Sequence, residues 1–280
     1  MKKLIVNADD FGLCTSVNKA IIECHLAGNI NSTTLMANMP GTEEAIELSQ
    51  KHTKLKIGLH FCITEGKAMG GLSTLTKPDQ SFYNWGELNK LAITNKINSD
   101  DIKREFYAQY EYLLDKGVDV THFDSHQHIH MNNTLFKVCA NISNELNIPV
   151  RLVDPIINWK LIYQKPKKGI KQFLLKVLSN RHRKALNNAT NNALVAVHDL
   201  SNANLIDSSS YKQVLSKASN HDIVELMVHP YIVGEDVKKM YQSSWNEKLD
   251  FLSISKLEFT VLKEKDFIYN LTGVRPSSYA

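Results

Sequence analysis

The segment Thr121-His122-Phe123-Asp124-Ser125-His126-Gln127-His128-Ile129-His130 places four histidines and a carboxylate within ten residues. Imidazoles and carboxylates both offer lone pairs at neutral pH, so this density is what a divalent metal site requires. A histidine-rich loop with no ligand is the plainer alternative. Three other places carry the same residue types: Asp9-Asp10, His60 in Gly58-Leu59-His60-Phe61, and His229 in Met227-Val228-His229-Pro230. Each is weak alone. Paired acids often start turns, a lone histidine in an apolar strand is commonly a core residue, and a histidine before proline can simply bond its loop.

Position strengthens all four. Leu4-Ile5-Val6, Lys56 to Ile63, Val118 to Phe123 and Ile223 to Val228 read as strands, and each candidate stands at the C-terminal end of one of them. Further strands are expected over 33–37, 149–153 and 193–197. Between them, Val17, Ala20, Ile21 and Cys24 recur at helical spacing behind a Ser16 cap, and Thr42 opens a helix with Glu43 and Glu44 in its first turn. The stripes Ile102 to Leu113 and Leu135 to Leu146, and the Tyr211 to Ala218 segment, predict three more helices. Strand-helix alternation with continuously apolar strands predicts an α/β fold, an irregular TIM-like (β/α) barrel. One domain over 1–280 is expected, with insertions near 65–97 and 156–192; an open doubly wound sheet is the alternative. In a parallel barrel the C-terminal strand ends open on one face, so the four candidates converge there. Asp9 and Asp10 would point oppositely in extended chain, and both reach one site only if the strand bends, which Gly12 permits. His126, His128 and His130 would share one side of an extended segment.

A hydrophobic content of 43% with 22% charged residues fits a soluble globular chain. The apolar run Leu4-Ile5-Val6 meets Asn7 and Asp9-Asp10 too early for a signal peptide or membrane span, which makes a cytoplasmic protein the expectation. Cys14, Cys24, Cys62 and Cys139 form no CxxC pair, so buried free thiols are expected rather than a zinc ribbon or redox dithiol. Net charge is +4, yet Pro155 to His198 holds no acid and nine cations, leaving the remainder at +4 − 9 = −5. That run could attract an acidic substrate, dock a partner or form a solvated helix.

Val6-Asn7-Ala8-Asp9-Asp10-Phe11-Gly12, Gly58-Leu59-His60-Phe61, the 121–131 block through Met131, and Met227-Val228-His229-Pro230 together resemble the YdjC family of carbohydrate deacetylases. The family includes chitooligosaccharide deacetylases and has an irregular (β/α) barrel. By motif, the resemblance implies Asp10, His60 and His126 as metal ligands, Asp9 as general base and His229 as general acid. It implies one divalent ion, Mg2+ by family description, although one carboxylate and two imidazoles suit Zn2+, Mn2+, Co2+ or iron as well. The implied substrate is an acetylated sugar or oligosaccharide, with no nucleic acid and no membrane as partner; family members are often dimeric, which adds a homodimer to the expectations. His128 and His130 become candidates to bind substrate, and Tyr83 and Trp85, in the insertion after His60, candidates to stack on a pyranose ring. The rival readings are a metal-dependent phosphoesterase, which normally needs a second metal, an iron oxygenase, and a nonenzymatic polyanion binder acting through Lys165 to Lys184.

Overall fold

Six parallel strands form the centre of the molecule: β1 (Lys3–Phe11), β2 (Ser32–Leu35), β3 (Lys56–Phe61), β4 (Val120–Ser125), β5 (Ala193–Val195) and β6 (Ile223–Val228), in the order β4-β3-β2-β1-β6-β5. The structure is a computed structural model and describes residues 1–157, 163, 166–188, 191–200 and 206–277. Val150 is bridged in parallel to Phe123 of β4, and Pro155 in parallel to Leu194 of β5. Backbone bonds from Arg151 N–H to Phe123 O (3.0 Å) and from Leu194 N–H to Asp154 O (2.9 Å) hold both seams. Residues 149–155 therefore join the two sheet edges and close the strands into an irregular ring. The expected strand over 149–153 is this connector; prolines at 149 and 155 supply no N–H and keep its ladder incomplete.

Helices surround the ring: α1 (Thr15–Leu26), α2 (Thr42–Lys51), α3 (Trp85–Ile93), α4 (Ser99–Asp115), α5 (Asn133–Leu146), α6 (Pro166–His182), α7 (Ser208–Lys217), α8 (Glu235–Met240), α9 (Trp245–Leu262) and α10 (Phe267–Thr272). With helices outside and packed side chains inside, β1 is buried on both faces from Leu4 to Phe11, which is why it reads as an unbroken apolar run until Asn7. Gly58 is required by a close approach: a Cβ there would stand 2.6 Å from the His122 ring packed against it.

Several local expectations change. Ser16 does not cap α1; Cys14 occupies that position without a side-chain bond, and Ser16 Oγ instead donates to Asp236 Oδ1 at 2.6 Å. After Ser125 the chain coils into a 3-10 turn over His126–Met131, with Gln127 and His128 at φ 55° and 57°, so the three histidines do not share one side of an extended segment. The first insertion is built from antiparallel bridges Lys67 to Ser81 and Thr76 to Phe82, followed by α3, whose Asn84 and Glu87 form a capping box. In the basic run, Lys176 of α6 and Arg183 of the turn after it both bond Asp154, at 2.5 and 2.9 Å, so this segment is tied to the ring connector rather than merely solvated. Lys160 and Lys165 lie outside the described residues. All four cysteines are buried and free. Among the described residues no helix is long and apolar enough to cross a membrane.

Candidate metal centre

Asp9 and Asp10 end β1, and the bend that lets both serve one site falls on Asp10 itself, at φ 69°, with Gly12 following at φ 91°. The β1–β2 register shifts between Ala8 and Phe11 at the same place. A non-glycine residue in the left-handed region carries strain, and such strain concentrates at functional sites. His60, near the end of β3, lies in register with Asp124 of β4. His126 follows β4 directly, where the coil turns its ring back over the sheet.

These strand ends bring three donor atoms together. Asp10 Oδ1 is 2.9 Å from His126 Nδ1 and 3.2 Å from His60 Nε2, and the two nitrogens are 3.3 Å apart. Neighbouring ligands on an ion bound at about 2.1 Å stand about 3.0 Å apart in octahedral and about 3.4 Å apart in tetrahedral geometry. The donor triangle thus has the dimensions of one face of a coordination shell, and all three residues are buried. Outer partners fix the rings. Asp124 Oδ1 accepts the Nδ1 proton of His60 at 2.6 Å, which makes Nε2, the nitrogen facing Asp10, the one a cation would take. Glu65 Oε1 stands 3.4 Å from His126 Nε2, a nitrogen that makes no well-aligned hydrogen bond. Burial works against charge on both rings, but the Asp124 and Asp10 carboxylates push His60 up to about 10, and Glu65 and Asp10 push His126 up to about 9.

Beside the triangle lies a buried cation. Arg151, in the ring connector, donates from Nη1 and Nη2 to both oxygens of Asp9 at 2.7 Å, from Nε to Glu225 Oε1 at 2.6 Å, and reaches Asp124 Oδ2 at 2.5 Å. Burial would raise the Asp9 carboxyl, but the Arg151 guanidinium outweighs it and holds Asp9 well below the usual value. Burial dominates at Glu225 and lifts it to about 7. Tyr231 Oη donates to Asp10 Oδ2 at 2.6 Å. His229 Nε2 stands 3.8 Å from Asp9 Oδ2, its Nδ1 has no hydrogen-bond partner, and burial holds the ring below its ordinary value.

The structure brings Asp9, Asp10, His60, His126 and His229 to one place. His128, half-buried, instead lines a cavity of about 200 Å³ shared with Lys171 and His198. His130 is not placed to contact a substrate: it is fully buried, with Nδ1 against Ser125 Oγ (2.5 Å) and Nε2 donating to Arg151 O (3.0 Å), so it holds the backbone that carries the guanidinium. Tyr83 packs half-buried against the core, whereas Trp85, 43% exposed, faces a cleft of about 1050 Å³ that reaches Glu65 and Gln127 beside the triangle. Sequence reasoning missed Glu65, Arg151, His198, Glu225, Tyr231 and Glu258. His198 follows β5 as the other candidates follow their strands, and Arg151 is a lone cation in Ile148-Pro149-Val150-Arg151-Leu152-Val153; both signals were visible.

A family model described as YdjC-like protein matches residues 3–268. A carbohydrate deacetylase of Clostridium beijerinckii is 37% identical over 155 residues, covering 55% of this chain and 61% of that protein. One from Geobacillus stearothermophilus is 38% identical over 53% of this chain and 59% of its own. A chitooligosaccharide deacetylase of Proteus mirabilis is 36% identical over 56% and 61%. The chain thus spans about six-tenths of the length of the curated relatives it matches. Among solved structures, a provisionally named cellobiose-phosphate cleavage protein of Enterococcus faecalis V583 superposes with a TM-score of 0.76, 22% identity, and coverage of 99% of this chain and 97% of that one, which establishes the shared fold.

Proposed function

Because the chain belongs to the YdjC-like family, we propose that it is a metal-dependent hydrolase that removes acetyl groups from N-acetylated carbohydrates. The observation that carries this reading is the donor triangle of Asp10, His60 and His126, with edges of 2.9 to 3.3 Å and each histidine backed by a carboxylate. The names of the relatives, carbohydrate and chitooligosaccharide deacetylases, supply the substrate class. A divalent cation held by these three residues would supply Lewis acidity, polarising an acetyl oxygen and making water acidic enough to attack at neutral pH. Two imidazoles and one carboxylate suit Zn2+, Mn2+ or Co2+ at least as well as Mg2+.

The flanking residues handle protons. Asp9 takes the proton of the attacking water, and His229 delivers one to the sugar amine as it leaves. The 1050 Å³ cleft, open beside Glu65 and Gln127, holds the sugar, with Trp85 offering a face for a pyranose ring. A second assignment of the proton acceptor is favoured by the grip of Arg151 on both Asp9 oxygens, which weakens that carboxylate as a base. In it His229 both accepts and returns the proton, and Asp9 supports its charged form from 3.8 Å. A homodimer acting on sugars inside the cell completes the proposal.

The test is acetate release from a panel of N-acetylated mono- and oligosaccharides by metal-stripped protein with Mg2+, Mn2+, Co2+ or Zn2+ restored singly. Release that depends on one of these ions and is lost in His60→Ala and His126→Ala is expected. Ion-independent release, or phosphate release from sugar phosphates with no acetate, overturns the reading.

A further inference from the structure

A second cluster of metal-ligating side chains stands next to the first. Glu258, fully buried on α9, accepts the backbone N–H of His229 at 2.8 Å and the His198 Nε2 proton at 3.1 Å, both on Oε2. His198 and His229 meet edge to face with ring centroids 5.1 Å apart. One donor atom from each of His198, His229 and Glu258 lies within 4.8 Å of the other two. His229 turns Nε2 toward Asp9, and its Nδ1 is buried with no hydrogen-bond partner. A carboxylate, two imidazoles and an unengaged nitrogen form the donor set that borderline divalent ions take most readily.

We propose that His198, His229 and Glu258 form a second cation site, selective for Zn2+-like ions, whose occupation silences the enzyme. The binding half of this proposal stands on geometry alone; the silencing half rests on the proposed proton transfer by His229. A ring with one nitrogen on a cation has lost the capacity to become an imidazolium, so it can no longer take up a proton and pass it to the departing amine. Activity therefore rises with the first equivalent of Zn2+ and falls with the second, and a weak chelator restores it.

His198 is partly exposed and takes no part in the proposed chemistry, which makes it the residue to change. Metal-stripped wild type, His60→Ala and His198→Ala are each equilibrated with Zn2+ and assayed for bound metal. Wild type is expected to hold two equivalents and each variant one. In the deacetylation assay His198→Ala keeps its basal rate, and the Zn2+ concentration for half-inhibition rises by at least about tenfold, the lower bound for losing even an outer partner of a metal. Co2+ bound to His60→Ala should give visible ligand-field bands that Zn2+ displaces, a readout that needs neither activity nor a folded His198 variant. A wild type that takes up a single equivalent, a second equivalent that persists in folded His198→Ala, no Co2+ bands in His60→Ala, or activation by the second equivalent each overturns the proposal. Failure of acetate release in every condition counts against the deacetylase reading, while the metal counts still decide the site.

Discussion

Replacing Asp124 by Asn tests whether the first site works through the tautomer of His60. Asp124 is fully buried and uses its two oxygens differently: Oδ1 faces His60 Nδ1 at 2.6 Å, while Oδ2 meets Arg151 Nη1 at 2.5 Å and accepts from Thr34 Oγ1 at 3.2 Å. The guanidinium accepts nothing, so the oxygen of the introduced amide must stay on the Arg151 side. Its NH2 then faces His60, donates to Nδ1, and drives the ring proton to Nε2, the nitrogen 3.2 Å from Asp10 Oδ1. A protonated Nε2 offers no lone pair to a cation. Loss of such an outer partner lowers metal affinity about 10- to 100-fold, or about 1.4–2.7 kcal/mol. Arg151 keeps Asp9 and Glu225, so the fold should survive with a loss of about 1–3 kcal/mol. Competition against a chromophoric chelator measures the affinity, and a thermal melt measures the fold. Wild-type affinity in a folded Asp124→Asn protein would refute the tautomer argument. Glu65→Gln, which alters a looser 3.4 Å contact, should cost less.

Other outcomes follow from the same geometry. His229→Ala should lower kcat about 10²- to 10⁴-fold, the usual share of a general acid or base, with the tighter metal equivalent retained; Asp9→Asn should match it if Asp9 is the acceptor and fall well short if His229 serves both steps. Steady-state kinetics with metal analysis reads this. Trp85→Ala should raise KM about 2- to 12-fold, worth about 0.5–1.5 kcal/mol of stacking, with kcat little changed; an unaltered KM on every acetylated sugar removes Trp85 from the substrate path. His182 stacks on Phe136 with ring centroids 3.7 Å apart, and burial holds its pKa down at about 4 against 6.5 for the free side chain. The unfolded chain therefore binds this proton first, and stability present above pH 6.5 is lost as pH falls toward about 4. Urea melts between pH 7.5 and 5, settings of about one unit beyond and inside that window, should show a shallower acid slope in His182→Gln than in wild type.

How far the site could be read from sequence depends on whether a residue's role is local. Asp9-Asp10, His60, His126 and His229 were legible because each sits where a strand stops, and parallel strands stop on one face. The need for a bend at Asp9-Asp10 was legible too, but its seat at Asp10 was not, since an aspartate in the left-handed region leaves no mark on composition. The extended reading of 126–130 failed for the same reason: period-two alternation holds only while the backbone stays extended, and Gln127 and His128 leave it. Glu65 comes from the first insertion and Glu258 from α9, beyond the last motif. Charges on such segments look solvated until the tertiary fold delivers them. Arg151 and Glu225 were the readable exceptions, each a lone charge in an apolar run, and a buried charge demands a partner. Nothing in their neighbours said that the partners were each other.

Electrostatics gives a reason for this concentration of charge. Asp9, Asp10, Asp124 and Glu225 are each at most 2% exposed, and Arg151 is the one arginine among them. Carboxylates taken out of water without compensation cost several kcal/mol each, about the whole stability of a domain when summed. Beyond what Arg151 offsets, the deficit falls on the two imidazoles, which is why His60 and His126 are pushed up to about 10 and about 9. A divalent ion carries the same charge as the two ring protons it displaces. Its entry would therefore leave the net charge of the cavity unchanged, exchanging two diffuse cations for one compact ion held by Asp10, His60 and His126. The carboxylates whose burial is costly are thus the ones that would make the proposed site bind a divalent ion strongly. Arg151, fixed by three of them, keeps Asp9 and Asp124 from turning inward to become additional ligands. On the proposed reading, that restraint would leave coordination positions open for water and substrate, the difference between a catalytic ion and a structural one.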